Sequence, residues 1–344
     1  MLYFTACDVH VAQQRAVQWN LKMKNEKKEG ENMRPYAFGV DVGGTTVKMG
    51  IFHTSGDLLE KWEIPTRTEN GGEQILPDIA ASVREMLKKR KISMEDVEGI
   101  GIGVPGAVRE NSVVDRCVNL GWGVVPVRDI LSSLLDGCRV MVGNDANVAA
   151  LGEIWKGGGE GARSMVMVTL GTGIGGGIIL DGKILNGAFG AAGEIGHICI
   201  NEEEDAVCGC GKKGHLEQYA SANGIAKTAR KMLDETTEES SLKALEKVTS
   251  KDVFDAAKKQ DKVAVRIVER VGQILGKALA AVACVVDPEV FVIGGGVSKA
   301  GPMVTDVIRK YFVKYAFHAS EGARFELARL GNDAGIYGAV RMLM

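Results

Sequence analysis

The sequence predicts an α/β fold built as two similar halves facing one another across a cleft, and three observations carry that expectation. The chain has 344 residues, more than one hydrophobic core organises, since a single core stops growing near about 250–300 residues. A run of strand, glycine turn, strand, turn and strand that opens at Tyr36 recurs near Met165. The 45 glycines fall in clusters, GVDVGGT, LGTGIGGG and VIGGGVS, where backbone must turn tightly or come close to a ligand.

The elements follow in order. Residues 1–34 end in KMKNEKKEGENMRP, a polar run without apolar period. They read as an appendage with Met33 as the working start, or else as a short regulatory or interface arm. From Tyr36, YAFGVDV, TTVKMGIF and DLLEKWEIP are separated by Gly-Gly and Ser-Gly-Asp turns, which predicts an antiparallel meander. Ile75, Ile79, Val83 and Leu87 then step by four, and Lys88, Lys89 and Arg90 close the run, as suits a helix whose C-terminal end favours cations. EGIGIGVPGAV and RVMVGND read as two further strands.

The second half opens with SMVMVTLGTGIGGGIILDGKIL, again a glycine-turned meander. A long helix follows from about Val263 to Val286, then the short strand VFVIGGG, a helix from Pro302 to Tyr315, a strand at FELARL and a final helix from Asp333. The expected division is a smaller α/β domain over 35–145, with the helix 333–344 packing back on it, and a larger one over 146–332 that carries a loop at 197–215. Glycine turns at the openings of both halves would face each other across the cleft.

Composition narrows the function. Lys and Arg total 42 against 44 Asp and Glu, a net charge of −2, which offers no polycationic face for a nucleic-acid backbone. The longest apolar stretch, around Ala278 to Val286, is broken by Asp287 and Pro288, short of a bilayer span. Seven cysteines, scattered apart from Cys208 and Cys210, suit a reduced cytoplasmic chain better than a disulfide scaffold.

Chemistry should gather at the turns. Asp41, Gly43, Gly44, Thr45 and Thr46 put backbone N–H groups, hydroxyls and one carboxylate where phosphate oxygens and a hydrated Mg²⁺ could bind, with Lys48 as a further phosphate contact. Gly171, Thr172, Gly173, Gly175 and Gly176 repeat that logic. Either turn alone would also serve an ordinary tight hairpin. Both lead into strands, so neither is a GxxxxGK[ST] loop nor a strand-to-helix GxGxxG. Gly294, Gly295, Gly296 and Ser298 would let backbone approach a flat ligand such as adenine or its ribose, or would simply allow close packing in a βα loop.

Asn144 and Asp145 end the strand RVMVG and open a helix. Both are good N-caps, and Asp145 is also the candidate general base for an attacking hydroxyl, with Asn144 orienting the acceptor. A cap at the carboxyl end of a strand points into the ligand crevice of an α/β fold, so both readings can hold together. Glu194 and His197 in GEIGH stand three apart and share a side of one helical turn. His197, Cys208, Cys210 and His215 form a Cys₂His₂ set of the structural zinc kind, which would pin the loop holding Glu194 and Glu217. The alternative is a pair of unligated cysteines in a glycine-rich turn beside surface histidines.

DVGGTT, GVPGAV, NLGW, GNDAN, LGTGIGGG, GEIGH, CGCGKKGHLE and VIGGGVS stand in one order from Tyr36 to Met344, and together they resemble the ROK family, especially its bacterial glucokinases. The resemblance implies two ribonuclease-H-like domains of the actin and hexokinase ATPase type around a central cleft, with a zinc-pinned loop. The implied reaction is ATP-dependent phosphorylation of a hexose, glucose at its 6-hydroxyl before N-acetylglucosamine, N-acetylmannosamine, mannose or fructose. It places Asp145 as base and Asn144, Glu194, His197 and Glu217 on sugar hydroxyls, with Gly106 and Asn119 as additions. Gly43, Gly44, Thr45, Gly171, Thr172 and Gly173 fall on the phosphates, Gly295 and Gly296 on adenosine, and His197, Cys208 and Cys210 on zinc. His215 stands where the family usually has a third cysteine. A homodimer is the usual arrangement. Sugar-responsive repressors of the same family carry a DNA-reading helix pair for which the 34 leading residues are too short. An ATP-driven scaffold would share the phosphate turns without needing the sugar acids or the zinc loop.

Overall fold

The computed structural model describes residues 33–344. The appendage expected over 1–34 therefore lies outside the described residues save Met33 and Arg34, and the Arg34 guanidinium donates to the Val97 carbonyl at 3.1 Å.

Two five-stranded mixed sheets organise the described chain. The first joins β1 (Tyr36–Val42), β2 (Thr46–His53), β3 (Leu58–Pro65), β4 (Val97–Val104) and β7 (Val140–Asn144) in the order β3-β2-β1-β4-β7. The second joins β8 (Met165–Leu170), β9 (Ile174–Leu180), β10 (Lys183–Ile184), β11 (Val290–Gly294) and β12 (Arg324–Leu327) in the order β10-β9-β8-β11-β12. In each sheet the opening three strands are antiparallel and the last two lie parallel to the first. The repeated meander is thus a repeated topology.

One strand departs from expectation. EGIGIGVPGAV is not continuous: β4 stops at Val104, and the chain forms a separate ribbon of β5 (Val108–Arg109) and β6 (Val113–Val114). Gly106 makes the break, with φ +101°, a conformation that costs glycine little.

Alternation decides which face of the first sheet meets what. Phe38, Val40 and Val42 of β1 and Ile100, Ile102 and Val104 of β4 enter one buried cluster with Ile75, Ile79, Val83 and Leu87 of α1 (Ile75–Arg90) and with Leu131 of α2 (Val127–Leu134). Each such side chain contributes roughly 1.5–3 kcal/mol on burial. On the opposite face the alternate positions of β4 are Gly99, Gly101 and Gly103, and those of β1 are Ala37, Gly39 and Asp41. A Cβ on Gly101 would lie 1.7 Å from the Ala339 carbonyl oxygen, so α8 (Ala334–Arg341) rests directly on the strand backbone. The same intimacy joins α8 to α3 (Asp145–Lys156), where a Cβ on Gly338 would lie 1.7 Å from the Val148 carbonyl oxygen.

The second sheet is covered by α4 (Ala222–Asp234), α5 (Ser250–Lys258), α6 (Lys262–Val286) and α7 (Pro302–Tyr315), whose apolar faces share a cluster with Val166, Val168, Phe291 and Ile293. No helix of the described residues is long and apolar enough to cross a membrane.

Candidate functional site

The parallel strands bring their carboxyl ends to one edge of the first sheet, and β7 delivers Asn144 and Asp145 there. Asn144 caps α3: its Oδ1 accepts from the N–H groups of Ala146 at 3.1 Å and Asn147 at 3.2 Å. Its Nδ2 donates to the Gly106 carbonyl at 3.1 Å, which leaves one amide hydrogen free for a ligand. Asp145 Oδ1 accepts from Ala146 N–H at 2.8 Å. Burial raises the Asp145 carboxyl above its ordinary 3.8, and the nearby Glu194 charge adds to this, while the N–H of Ala146 opposes it. A carboxylate held in that way is a stronger base near neutral pH than a solvated one.

Asp41 stands beside it. Burial raises its carboxyl too, Lys48 lowers it and Asp145 raises it further. Lys48 Nζ lies 3.9 Å from Asp41 Oδ2 and donates to the Asn332 carbonyl at 3.4 Å. Its partly exposed ammonium thus stands between Asp41 and Asn332 at the edge of the turn. The first turn of α8 closes over the same carboxylate, since a Cβ on Gly335 would be 2.6 Å from Asp41 Cγ.

The first glycine turn is tightened by Gly43 N–H donating to the Thr46 carbonyl at 3.0 Å, and Gly44 and Thr45 are exposed at its tip. The Asn119 carbonyl oxygen lies 4.0 Å from where a Gly44 Cβ would stand, so the Asn119 loop borders this turn. The second turn is tightened by Gly171 N–H to the Gly173 carbonyl at 3.0 Å, with Thr172 exposed. No hydrogen bond or ion pair among the described residues joins the two turns. Gly295 packs on the second one, where its Cβ would be 2.5 Å from the Leu170 carbonyl oxygen, and Gly296 has open space beside its Cα.

His197 lies in a 3₁₀ turn over Ile195–His197, and its two ring nitrogens face opposite ways. Nε2 is 3.8 Å from Glu194 Oε2, whereas Nδ1 is 3.3 Å from His215 Nδ1 and 3.9 Å from Cys208 Sγ. Cys210 Sγ is 3.3 Å from His215 Nδ1. All four donor atoms fall within 4.8 Å of one another. A tetrahedral ion with bonds of about 2.0–2.3 Å needs donors about 3.3–3.8 Å apart, so these four residues are compatible with one after drawing in the wider of their spacings. Glu217 borders this cluster and the second turn together: Cys208 Sγ–H donates to its Oε1 at 2.8 Å, and its Oε2 accepts from Ile174 N–H at 3.4 Å. A Cβ on Gly173 would come within 2.6 Å of Glu217 Oε2.

Two residues at the site gave no motif to read. The Thr66 hydroxyl donates to the Gly43 carbonyl at 2.7 Å, a contact recoverable from the meander because β3 ends where β2 begins. Glu153 is fully buried, and its carboxylate accepts from the N–H groups of Gly158, Arg329 and Leu330 at 2.8–3.0 Å. It ties the end of α3 to the segment leading into α8, and nothing in the local sequence marks that.

Comparison with known proteins agrees with this arrangement. The model of the ROK family matches residues 37–344. A glucokinase of Halalkalibacterium halodurans is 46% identical over 305 residues, covering 87% of this chain and 92% of the relative. A glucokinase of Thermotoga maritima is 37% identical over 311 residues, covering 89% and 96%. Among solved structures, a ROK family glucokinase of Streptomyces griseus in complex with glucose and AMPPNP is 34% identical, with a TM-score of 0.68 over 89% of this chain and 98% of that one. A match across nearly all of the described residues, in sequence and in fold, means that the chain belongs to the ROK family.

Proposed function

We propose that this protein is an ATP-dependent glucokinase that phosphorylates glucose at its 6-hydroxyl, with Asp145 as general base. The observation that carries this reading is the half-buried Asp145 carboxylate, raised above its ordinary range at the carboxyl end of β7 beside Glu194, in a chain 46% identical to a glucokinase. Asp145 takes the proton of the 6-hydroxyl as its oxygen attacks the γ-phosphorus. The bond from that phosphorus to the β–γ bridging oxygen breaks, and ADP leaves with the oxygen. Such a transfer needs positioning and charge neutralisation more than covalent chemistry.

The turns Gly43, Gly44, Thr45 and Gly171, Thr172, Gly173 hold phosphate oxygens through the N–H groups and hydroxyls left free once the Gly43 and Gly171 N–H groups have closed the turns, and the open side of Gly296, beside Gly295, receives adenosine. Asn144, Glu194, His197 and Glu217, with Gly106 and Asn119, engage sugar hydroxyls, for which carboxylates are good acceptors. Asp41 would orient a hydrated Mg²⁺, which supplies charge neutralisation on the transferring group. His197, Cys208, Cys210 and His215 would hold a structural Zn²⁺ that stiffens the loop 197–215. Residues 35–145 with 333–344 form one lobe and 146–332 the other, and closure between them excludes water from ATP. The enzyme acts in the cytoplasm as a homodimer.

The test is ADP release with Mg²⁺-ATP against glucose, mannose, fructose and the N-acetylhexosamines. Glucose dependence that vanishes in Asp145→Asn supports the reading. Selective turnover of another sugar changes the substrate and keeps the mechanism, and sugar-independent hydrolysis rejects the kinase.

A further inference from the structure

A buried tryptophan joins the two substrate edges of the first lobe. The loop following β6 closes on itself between Cys117 and Trp122, which exchange both backbone N–H···O bonds at 3.0 Å, and Asn119 is exposed at its tip. Trp122 is only 5% exposed, and its indole N–H donates to the Gly72 carbonyl at 3.1 Å. Gly72, at φ +69°, accepts this docking because it lacks a side chain: a Cβ there would lie 2.3 Å from the Leu120 carbonyl oxygen and 2.7 Å from Trp122 Nε1.

Gly72 is itself tied back to the phosphate turn. Its N–H donates to the Thr68 carbonyl at 3.2 Å, and Thr66, just before, donates its N–H to the Thr45 carbonyl at 2.9 Å and its hydroxyl to the Gly43 carbonyl at 2.7 Å. At the other end, the loop backs onto Gly106, whose Cβ would be 2.6 Å from the Arg116 carbonyl oxygen. Gly106 in turn accepts from the Asn144 amide beside Asp145. A continuous strap thus runs from Gly43 and Thr45 through Thr66, Gly72 and Trp122 to Asn119 and on to the base.

We propose that Trp122 is a positioning residue for the sugar acceptor, locking the Asn119 loop to the phosphate turn through Gly72 so that acceptor and phosphoryl group keep one spacing. This rests on the kinase reading above. Removing the indole N–H leaves the Gly72 carbonyl buried without a donor and frees the loop while leaving base and phosphate turns in place. The loss then falls on sugar binding ahead of chemistry.

The experiment compares Trp122→Phe, which keeps the buried ring, with Thr66→Val, which removes the hydroxyl bond to Gly43 and so loosens the strap at its phosphate end, and with Trp62→Phe as control. Trp62 donates to Ser82 Oγ at 2.8 Å in the same lobe but off the strap. Trp122→Phe should raise the sugar KM about tenfold, equivalent to about 1.4 kcal/mol, with kcat changed less than about threefold and the ATP KM less than about twofold. Thr66→Val should raise both KM values, and the double variant should fall short of the product of the singles, since both loosen one strap. Should Trp122→Phe fail to fold, Thr66→Val carries the test alone. An unchanged sugar KM in both strap variants, or an equal rise in Trp62→Phe, overturns the inference while leaving the kinase intact. A wild-type enzyme indifferent to every sugar overturns both.

Discussion

The hairpin between β1 and β2 and the one between β8 and β9 occupy the same place in two sheets of the same strand order, yet only the first carries a charged pair on its own strands. Val42 pairs with Val47 and Asp41 with Lys48 in one, Leu170 with Ile174 and Thr169 with Gly175 in the other. Superposing the closing pairs sets Asp41 against Thr169 and Lys48 against Gly175. The contrast continues along the sheet edges, where β7 ends in Asn144 and Asp145 and β12 ends in Leu327 and Ala328. One base suffices for the transfer. At these equivalent positions the first half carries charged side chains where the second carries threonine, glycine and alanine, and Glu217 reaches the second turn from outside the repeated frame.

Removing the base should show the largest effect. Asp145→Asn keeps the shape of the cap and loses the proton acceptor, so kcat should fall by about 10²–10⁴ with glucose affinity by calorimetry changed only a few-fold. A kcat near wild type would take Asp145 out of the role and remove the main asymmetry between the halves.

The equivalent positions test that asymmetry next. Asp41→Asn should cost roughly tenfold to a hundredfold in kcat and raise the Mg²⁺ concentration needed for half-maximal rate, whereas Thr169→Val should change kcat less than about threefold. Similar losses at both would mean that the two turns do the same work despite their different chemistry.

The pH dependence sharpens the point. Both first-lobe carboxyls lie above 3.8 in the folded protein because they are buried, so the acid limb of kcat/KM should sit above the range of a solvated aspartate. The sign for stability is the reverse of the common one. A raised carboxyl favours the fold below 3.8, and that contribution is lost as the pH climbs through the folded value. Asp145→Asn should then melt at a higher temperature than wild type at pH 7, with the gap narrowing toward pH 4. A lower Tm at pH 7 would contradict the burial cost.

The smallest effect should come from the second half's own device, the Cys/His cluster. His215→Ala should lower zinc content and Tm together while leaving kcat within about tenfold, and unchanged zinc stoichiometry would place the fourth ligand elsewhere.

Much of this was legible in the sequence. The Val263 to Val286 helix and the Pro302 to Tyr315 helix stand at or within a residue of their expected bounds, because apolar periodicity, capping and proline are local signals. The Cys₂His₂ set was readable from its C-x-C spacing. The turn at Gly106 was not, since GVPGAV prolongs the apolar run of β4 and the break depends on contact with Arg116. The contacts of Trp122, which stands in the NLGW motif, and of Glu153 escaped for a stronger reason: Gly72 and Arg329 lie 50 and 176 residues away.

By itself, then, the sequence determined the two glycine-turned meanders, the long helices over 75–90, 263–286 and 302–315, and the residue types at the glycine turns. Those follow from interactions between near neighbours, which spacing records. The helices over 127–134, 222–234 and 250–258 and the β5–β6 ribbon came from the structure. Tertiary structure decided which carboxyls are raised, which N–H groups and carbonyls are satisfied, and how closely α8 lies on Gly101. Each of those depends on a dielectric or a partner brought in from far along the chain.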